Sequence, residues 1–322
     1  DGREIMYSLI RKLRDSGKAV IFISHDLEEI MEVCDTLTVL RDGNMIRTFK
    51  KEEFNADEIR TSMIGRELQG DYYRSDFTPS CQDEVAITAT ELKFKEELKS
   101  VSITLRKGEI LGVGGLASCG MHTLGKAMFG ALGLEAGEVK MADGTKINNP
   151  HTAVANRIGY VSKDRDVESL CLSASIQDNI AVAGMGQYAI KDFLITNKKE
   201  KEYVEKQIKD LSIKCSDRNQ LISQLSGGNK QKVVFGKWIG CGSEILILDC
   251  PTRGVDIGVK QSMYQLMMEL KKEGKAILLI SEELPELLGM SDRLLIMKEG
   301  KITGEFTRNK DLTDADVIGY MI

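Results

Sequence analysis

Apolar and polar positions along this chain follow two rhythms, and the switches between them outline an α/β domain. GEILGV at 108–113, EILILD at 244–249 and KAILLIS at 275–281 are short, nearly continuous apolar runs. Runs of that length suit strands buried on both faces, as in a mostly parallel sheet. Elsewhere the apolar spacing opens to three or four residues. KEKEYVEKQIKDL (199–211) places Tyr203, Val204, Ile208 and Leu211 at helical spacing, and a second helical pattern lies near 122–131, after a glycine-rich loop. GVKQSMYQLMMELKKEG (258–274) predicts a helix between the last two strands, with its three methionines as adaptable core filler. The charged cluster KFKEELK (93–99) predicts a solvated face or a turn. In such a sheet, ligands gather at the carboxyl ends of the strands.

Composition narrows the class without naming a chemistry. The 322 residues, 42% hydrophobic and 29% charged, suffice for two domains of ordinary size. A net charge of -5 gives no reason to expect nucleic acid as a partner. No apolar run approaches the roughly 20 residues that span a bilayer, so a membrane role would be peripheral. The seven cysteines, at 34, 81, 119, 171, 215, 241 and 250, show no C-x-x-C spacing. They read as reduced thiols, not a disulfide framework or a zinc site. The chain opens on Asp1 with no signal-like segment, which predicts a piece of something longer.

An internal repeat organises the rest. GKAVIFISHDLEEIMEVCDTLTVLRDGNMIRTF (17–49) aligns without a gap to GKAILLISEELPELLGMSDRLLIMKEGKITGEF (274–306), at a constant offset of 257. MYSLIRKLRDSG (6–17) extends the match to MYQLMMELKKEG (263–274). Self-similarity at this period predicts tandem domains. Residues 1–70 are then the C-terminal fragment of a first copy, 71–83 a short polar linker, and 84–322 a second, full copy. One copy plus the missing remainder implies a parent of roughly 500 residues.

GGLASCGMHTLGKA (114–127) raises the question of chemistry. Phosphate loops read G-x-x-x-x-G-K-[ST]: amides cradle the phosphates, the lysine reaches the terminal ones, and the hydroxyl holds Mg²⁺. From Gly115, Gly120 fits but Met121 and His122 follow; from Gly120, Gly125 and Lys126 fit but Ala127 follows. The loop must leave its strand directly so that the next helix aims its amides at the anion. That favours Gly115, with Ser118 inside the loop and Lys126 within the helix. A third pattern, Gly112-Val-Gly114-Gly-Leu-Ala117, imitates a dinucleotide fingerprint but finds no support in the remaining motifs.

QLSGGNKQK (224–232) and, after a short helix, ILILDCPTRGVD (245–256) carry the decisive resemblance. The sequence resembles the ATP-binding cassette (ABC) family, and more closely the second cassette of the tandem-cassette ATPases of bacterial simple-sugar importers. IGRELQGDYY, GYVSKDRDVESLCLSASIQDNI and ISEELPELLGMSDRLLIM share that resemblance, which covers essentially the whole chain. It implies a P-loop NTPase fold: a mostly parallel sheet flanked by helices, with a helical signature subdomain. It also implies ATP and Mg²⁺ as ligands. Ser226, Gly227, Gly228, Asn229 and Gln231 would form the signature, at a helix N-terminus whose free amides favour phosphate. Asp249 would engage Mg²⁺ at a strand end, and Asp256 would close the loop beyond it.

Several positions depart from the family pattern. Cys250 stands where a carboxylate polarises the attacking water, and a neutral thiol is a poor general base. The switch histidine is His25 in the first copy, whereas the second has Glu282. Lys163 occupies the expected loop-glutamine position. Met121 removes the cation and His122 the hydroxyl. Positioning and electrostatics supply most phosphoryl-transfer catalysis, so this cassette's own site is expected to be hydrolysis-deficient. The resemblance implies head-to-tail cassettes, with Ser226–Gln231 donated to a competent site that holds the first cassette's phosphate loop and His25. The partners implied are the missing first cassette or a second copy, membrane permease subunits, and indirectly an extracytoplasmic sugar-binding protein. The implied place is the cytoplasmic face of the plasma membrane. The alternatives are a soluble, non-transport tandem ATPase and a regulatory, non-hydrolysing cassette. The soluble classes usually carry a charged linker or coiled-coil insertion, which this chain lacks.

Overall fold

The structure, a computed structural model, describes residues 2–24, 27–41, 44–64, 72–189 and 195–322. It divides into two compact units, one of Asp1–Tyr72 with Asp256–Gln261 and one of Tyr73–Val255 with Ser262–Ile322. In the first unit, helices α1 (Gly2–Asp15) and α2 (Leu27–Val33) precede an antiparallel hairpin of β1 (Thr36–Arg41) and β2 (Asn44–Lys50), then α3 (Ala56–Ile64). Leu27, Ile30, Val39, Phe49 and Ile59 form its core.

The second unit opens with β3 (Val85–Phe94), β4 (Leu98–Arg106) and β5 (Ile110–Gly115). Helix α4 (Met121–Met128), β6 (Ala136–Met141), α5 (Pro150–Ala155) and β7 (Ile158–Val161) follow. A helical region holds α6 (Ile176–Ala181), α7 (Met185–Tyr188), α8 (Asn197–Asp210) and α9 (Gly227–Gly240). The chain then alternates through β8 (Ile245–Asp249), α10 (Ile257–Lys272), β9 (Ala276–Ile280) and α11 (Leu284–Met290), and ends with β10 (Arg293–Lys298), β11 (Lys301–Thr307) and α12 (Asp314–Ile318). Strands β4-β3-β6 make an antiparallel sheet. The main sheet runs β11-β10-β5-β9-β8-β7, parallel throughout except for β11.

The apolar runs explain this order. Every residue of β5, β8 and β9 is buried, as strands covered on both faces require. The edge strand β11 alternates exposed with half-buried positions. The charged cluster at 93–99 is the turn of the β3–β4 hairpin, with Lys95, Glu96 and Glu97 in the turn itself. A buried carboxylate ties the sheet to its flank: Asp292 accepts from the amides of Ile110 (2.8 Å) and Ser80 (3.2 Å), from Arg74 Nη1 (2.9 Å) and from Lys271 Nζ (2.8 Å). Among the described residues no helix is long and apolar enough to cross a membrane.

The repeat survives folding with one exception. Adding 257 to the bounds of α2, β1 and β2 gives those of α11, β10 and β11, and the bulge at Val39/Leu40 recurs at Ile296/Met297. The strand β9, however, has no counterpart in the described segment 18–24. Ile21 and Ile23 are each 91% exposed, while their equivalents Leu278 and Ile280 are fully buried. Leu278 pairs with Leu111 of β5 on one side and Ile247 of β8 on the other. An apolar run becomes a central strand only where neighbours take up its backbone amides and carbonyls.

Candidate functional site

Four neighbouring parallel strands end at one place, and each delivers a side chain there. Strand β5 ends at Gly115, the loop Leu116–Ser118 is exposed, and α4 begins at Met121. Gly115 and Gly120 are held to glycine by space. A Cβ on Gly115 would lie 2.3 Å from the Met297 carbonyl, and one on Gly120, whose φ is +99°, would lie 2.0 Å from the Glu97 carbonyl. The residue after the loop turns inward: Met121 is completely buried. His122, one position on, faces the strand ends. Lys126, the cation of the competing register, points elsewhere and pairs with Glu168 at 2.7 Å.

His122 Nδ1 lies 2.7 Å from Oδ1 of Asp249, the last residue of β8. Its Nε2 lies 3.1 Å from Lys163 Nζ, just beyond β7, and 3.4 Å from Oε1 of Glu282, just beyond β9. Lys163 in turn donates to Glu282 Oε1 at 2.6 Å. A lysine can only donate, so the ring is the Nδ1–H tautomer, giving its proton to Asp249 and accepting from Lys163. Tyr160 donates to the other Asp249 oxygen at 3.3 Å, and burial together with Asp249 raises its phenol pKa. Burial would raise the Glu282 carboxyl, but its hydrogen bond to Lys163 and that lysine's charge outweigh it and hold the group below its usual range. The buried Cys250 thiol is pushed up to about 12 by burial and by the charges of Asp249 and Glu282. It is therefore a neutral thiol near pH 7 and no general base. Cys250 also has φ +48°, a conformation costly for a residue with a Cβ.

A second group of residues gathers at the start of α9. Ser226 is the N-cap and is exposed, and its side chain accepts no helix amide. Asn229 braces it, donating to Ser226 Oγ at 3.0 Å and accepting the Lys214 amide at 2.8 Å. Gln231 is buried, with Arg165 Nη1 at 3.4 Å from its Oε1. Arg165 also donates to the carbonyls of Arg253 (2.7 Å) and Gly254 (3.5 Å), and Lys230 pairs with Asp166 at 3.0 Å. The segment after β7 thus bridges both groups: Lys163 joins the histidine cluster, while Arg165 and Asp166 hold the glycine-rich helix start.

The ABC transporter family matches residues 98–253, which include the loop, Lys163, the LSGGNKQK segment and Asp249. The chain is 42% identical over 306 residues to the ribose import ATP-binding protein RbsA of Bacillus subtilis (strain 168), covering 94% of this chain and 61% of that protein. It is 40% identical over 318 residues to the protein of the same name from Lactococcus lactis subsp. cremoris (strain SK11), covering 98% and 63%. This chain belongs to the ATP-binding cassette family. It spans less than two thirds of the length of those relatives. The fold is likewise that of solved cassettes. The dimeric post-hydrolysis structure of the cassette MJ0796 bound to ADP and Pi aligns with a TM-score of 0.61 at 19% identity, over 69% of this chain and 99% of that one. The ADP conformation of the cassette MJ1267 aligns at 0.59 and 21%, over 73% and 98%.

Within this cassette fold the residues expected from the sequence fall into separate places. His122, Lys163, Asp249, Cys250 and Glu282 converge; Ser226, Gly227, Gly228, Asn229 and Gln231 share the start of α9. Asp256 belongs to the first compact unit, where it accepts the Val259 amide at 3.0 Å. His25 lies outside the described residues. Tyr160 and Arg165 escaped sequence reasoning. Tyr160 ends the apolar run IGY as core by pattern. Arg165 sits in the charged string KDRD, where nothing in the spacing separates an inward arginine from solvated neighbours.

Mg²⁺ takes a near-octahedral shell of oxygens at about 2.0–2.1 Å. Here Asp249 presents both oxygens already engaged, Glu282 is paired with Lys163, and the remaining donors are an imidazole nitrogen and a thiol. This donor set does not fit Mg²⁺.

Proposed function

We propose that the chain is part of the ATP-binding subunit of a bacterial sugar ABC importer, ribose or a related monosaccharide being the solute. Its full cassette lends the LSGGNKQK helix start to a competent nucleotide site and does not hydrolyse at its own. One contrast carries this reading: the charged groups at the phosphate loop are consumed by one another, while Ser226 at the head of α9 stands exposed. The loop offers no cation at the lysine position, where the uncharged Met121 is buried in the core. Lys163, the nearest cation, is bound to Glu282, and the thiol of Cys250 replaces a base. The glycine-rich start of α9, by contrast, is braced from behind by Asn229, Gln231 and Arg165. Its free amides favour an approaching phosphate.

ATP and Mg²⁺ belong, in this reading, to the composite site built with the first cassette, including His25. The subunit would sit at the cytoplasmic face of the membrane against permease subunits, served by an extracytoplasmic sugar-binding protein. The relatives' printed names, ribose import ATP-binding protein, support the class of solute. The test uses the full-length protein with its permease. Ser226→Ala is expected to cost turnover by a factor about ten or more beyond that of Cys250→Ala. Equal losses would refute the division of labour, and failure to co-purify with a permease would refute the transport assignment.

A further inference from the structure

The misfit with Mg²⁺ points to a different ion. We propose that His122 Nδ1, Asp249 and Cys250 Sγ form a site for a borderline-soft divalent cation, zinc in the first instance. The inference goes beyond the transport reading and stands on this chain's own residues.

One ligand atom from each of the three residues lies within 4.8 Å of the other two. In a tetrahedral zinc site, bonds of about 2.0–2.3 Å set the ligand atoms roughly 3.3–3.6 Å apart. The His122–Asp249 contact of 2.7 Å must open by about half an ångström, and the separations to Cys250 Sγ, none above 4.8 Å, must close by at most about 1.5 Å. Imidazole, carboxylate and thiolate are all ordinary zinc ligands, whereas only the carboxylate suits Mg²⁺. The cysteine spacing along the chain gives no hint of this, because topology assembles the site from α4 and the end of β8.

The surroundings match what such a site requires. Tyr160 holds the second Asp249 oxygen at 3.3 Å, fixing the carboxylate as outer-shell partners do. The Cys250 amide donates to the Ile280 carbonyl at 2.8 Å. That bond helps hold the residue in its φ +48° conformation, and non-glycine residues held this way concentrate at functional sites. Asp249 and Cys250 are both buried, and the partly exposed His122 leaves the cation a way in.

Charge balances as well. The cation takes the place of the Nδ1–H bond and the thiol proton. Cys250 S–H loses its proton to solvent as the sulfur–metal bond forms, and the imidazole carries its own proton on Nε2 instead. That N–H then turns to Glu282 Oε1, 3.4 Å away, as the second nitrogen of a metal-bound histidine usually faces a carboxylate, and Lys163 gives up its 3.1 Å contact with Nε2. One divalent cation against Asp249 and a thiolate leaves no net charge, and Lys163 continues to offset Glu282.

The test is a titration of the reduced, chelator-treated chain with Co²⁺, followed by Zn²⁺. One Co²⁺ per chain is expected, with a thiolate-to-cobalt absorption band in the near ultraviolet that one equivalent of Zn²⁺ displaces. Cys250→Ala should remove the band, and His122→Ala should weaken binding about 100-fold with the fold intact by circular dichroism. Cys81 and Cys171 are exposed, and their replacement by serine should leave the band unchanged. His122 is partly exposed on α4, so its variant tests the site even where Cys250→Ala fails to fold. A band that survives His122→Ala at full affinity, a band that depends on Cys81 or Cys171, or no band in the folded wild type would overturn the proposal.

Discussion

Replacing Glu282 by glutamine should make the phosphate loop a better anion site. Glu282 Oε1 sits 2.6 Å from Lys163 Nζ and so occupies the ammonium that faces His122 beside the loop. An anionic oxygen hydrogen-bonded to the same ammonium, at about 2.8 Å, would lie at most about 5.4 Å from Oε1. Two unit charges at that separation repel by ~1.5 kcal/mol at an effective dielectric of 40, and by ~0.8 to ~3 kcal/mol between dielectrics of 80 and 20. The intermediate value suits this pair, since Glu282 is 36% exposed and Lys163 27%. Glu282→Gln should therefore tighten ATP binding by about tenfold, within limits of about 4- and 150-fold. Calorimetric titration of the chain at fixed ionic strength measures it. The gain should shrink as salt rises, because partly exposed charges are screened. Unchanged affinity in Glu282→Gln, or a gain that salt does not diminish, would refute the reading of this cluster as a self-occupied anion site.

Two further predictions concern stability. Asp292→Asn leaves Arg74 and Lys271, both essentially buried, without their shared carboxylate, and breaking a buried ion pair costs about 3–5 kcal/mol; urea unfolding of the second unit should show a loss of unfolding free energy of that size, and a loss below about 1 kcal/mol would contradict it. The repeat supplies an internal control for the other: Ile23→Lys should change stability by less than about 0.5 kcal/mol, whereas its equivalent Ile280→Lys should prevent folding, as thermal unfolding of the two variants would reveal.

Much of the site was legible in the sequence, but its condition was not. The glycines at 115 and 120 and the strand ending in Asp249 could be placed at strand ends from pattern, and the LSGGNKQK segment at a helix start from its resemblance to the cassette signature. Their spacing reflects local backbone needs, which any reader of turns and strands can recognise. The departures at Met121, His122, Cys250 and Glu282 were visible too, each as a missing group. What the departures form together was invisible, because Lys163, His122 and Glu282 are far apart along the chain and meet only at the shared end of the parallel strands β5, β9, β8 and β7. Tyr160 and Arg165 show the same limit. Nothing local distinguishes a tyrosine that reaches a buried carboxylate, or an arginine that turns in to two carbonyls, from neighbours that do neither.

The two copies of one segment mark the boundary most sharply. Sequence by itself determined α2, β1, β2 and even the bulge between Val39 and Leu40, since each recurs 257 residues later with the same bounds. Those elements satisfy their backbone groups within a helix or a hairpin, so their own residues suffice. The run AVIFI at 19–23 is as wholly apolar as AILLI at 276–280, yet only the second is a strand. A central parallel strand needs neighbours for its amides and carbonyls on both sides, and β5 and β8 supply them to β9 alone.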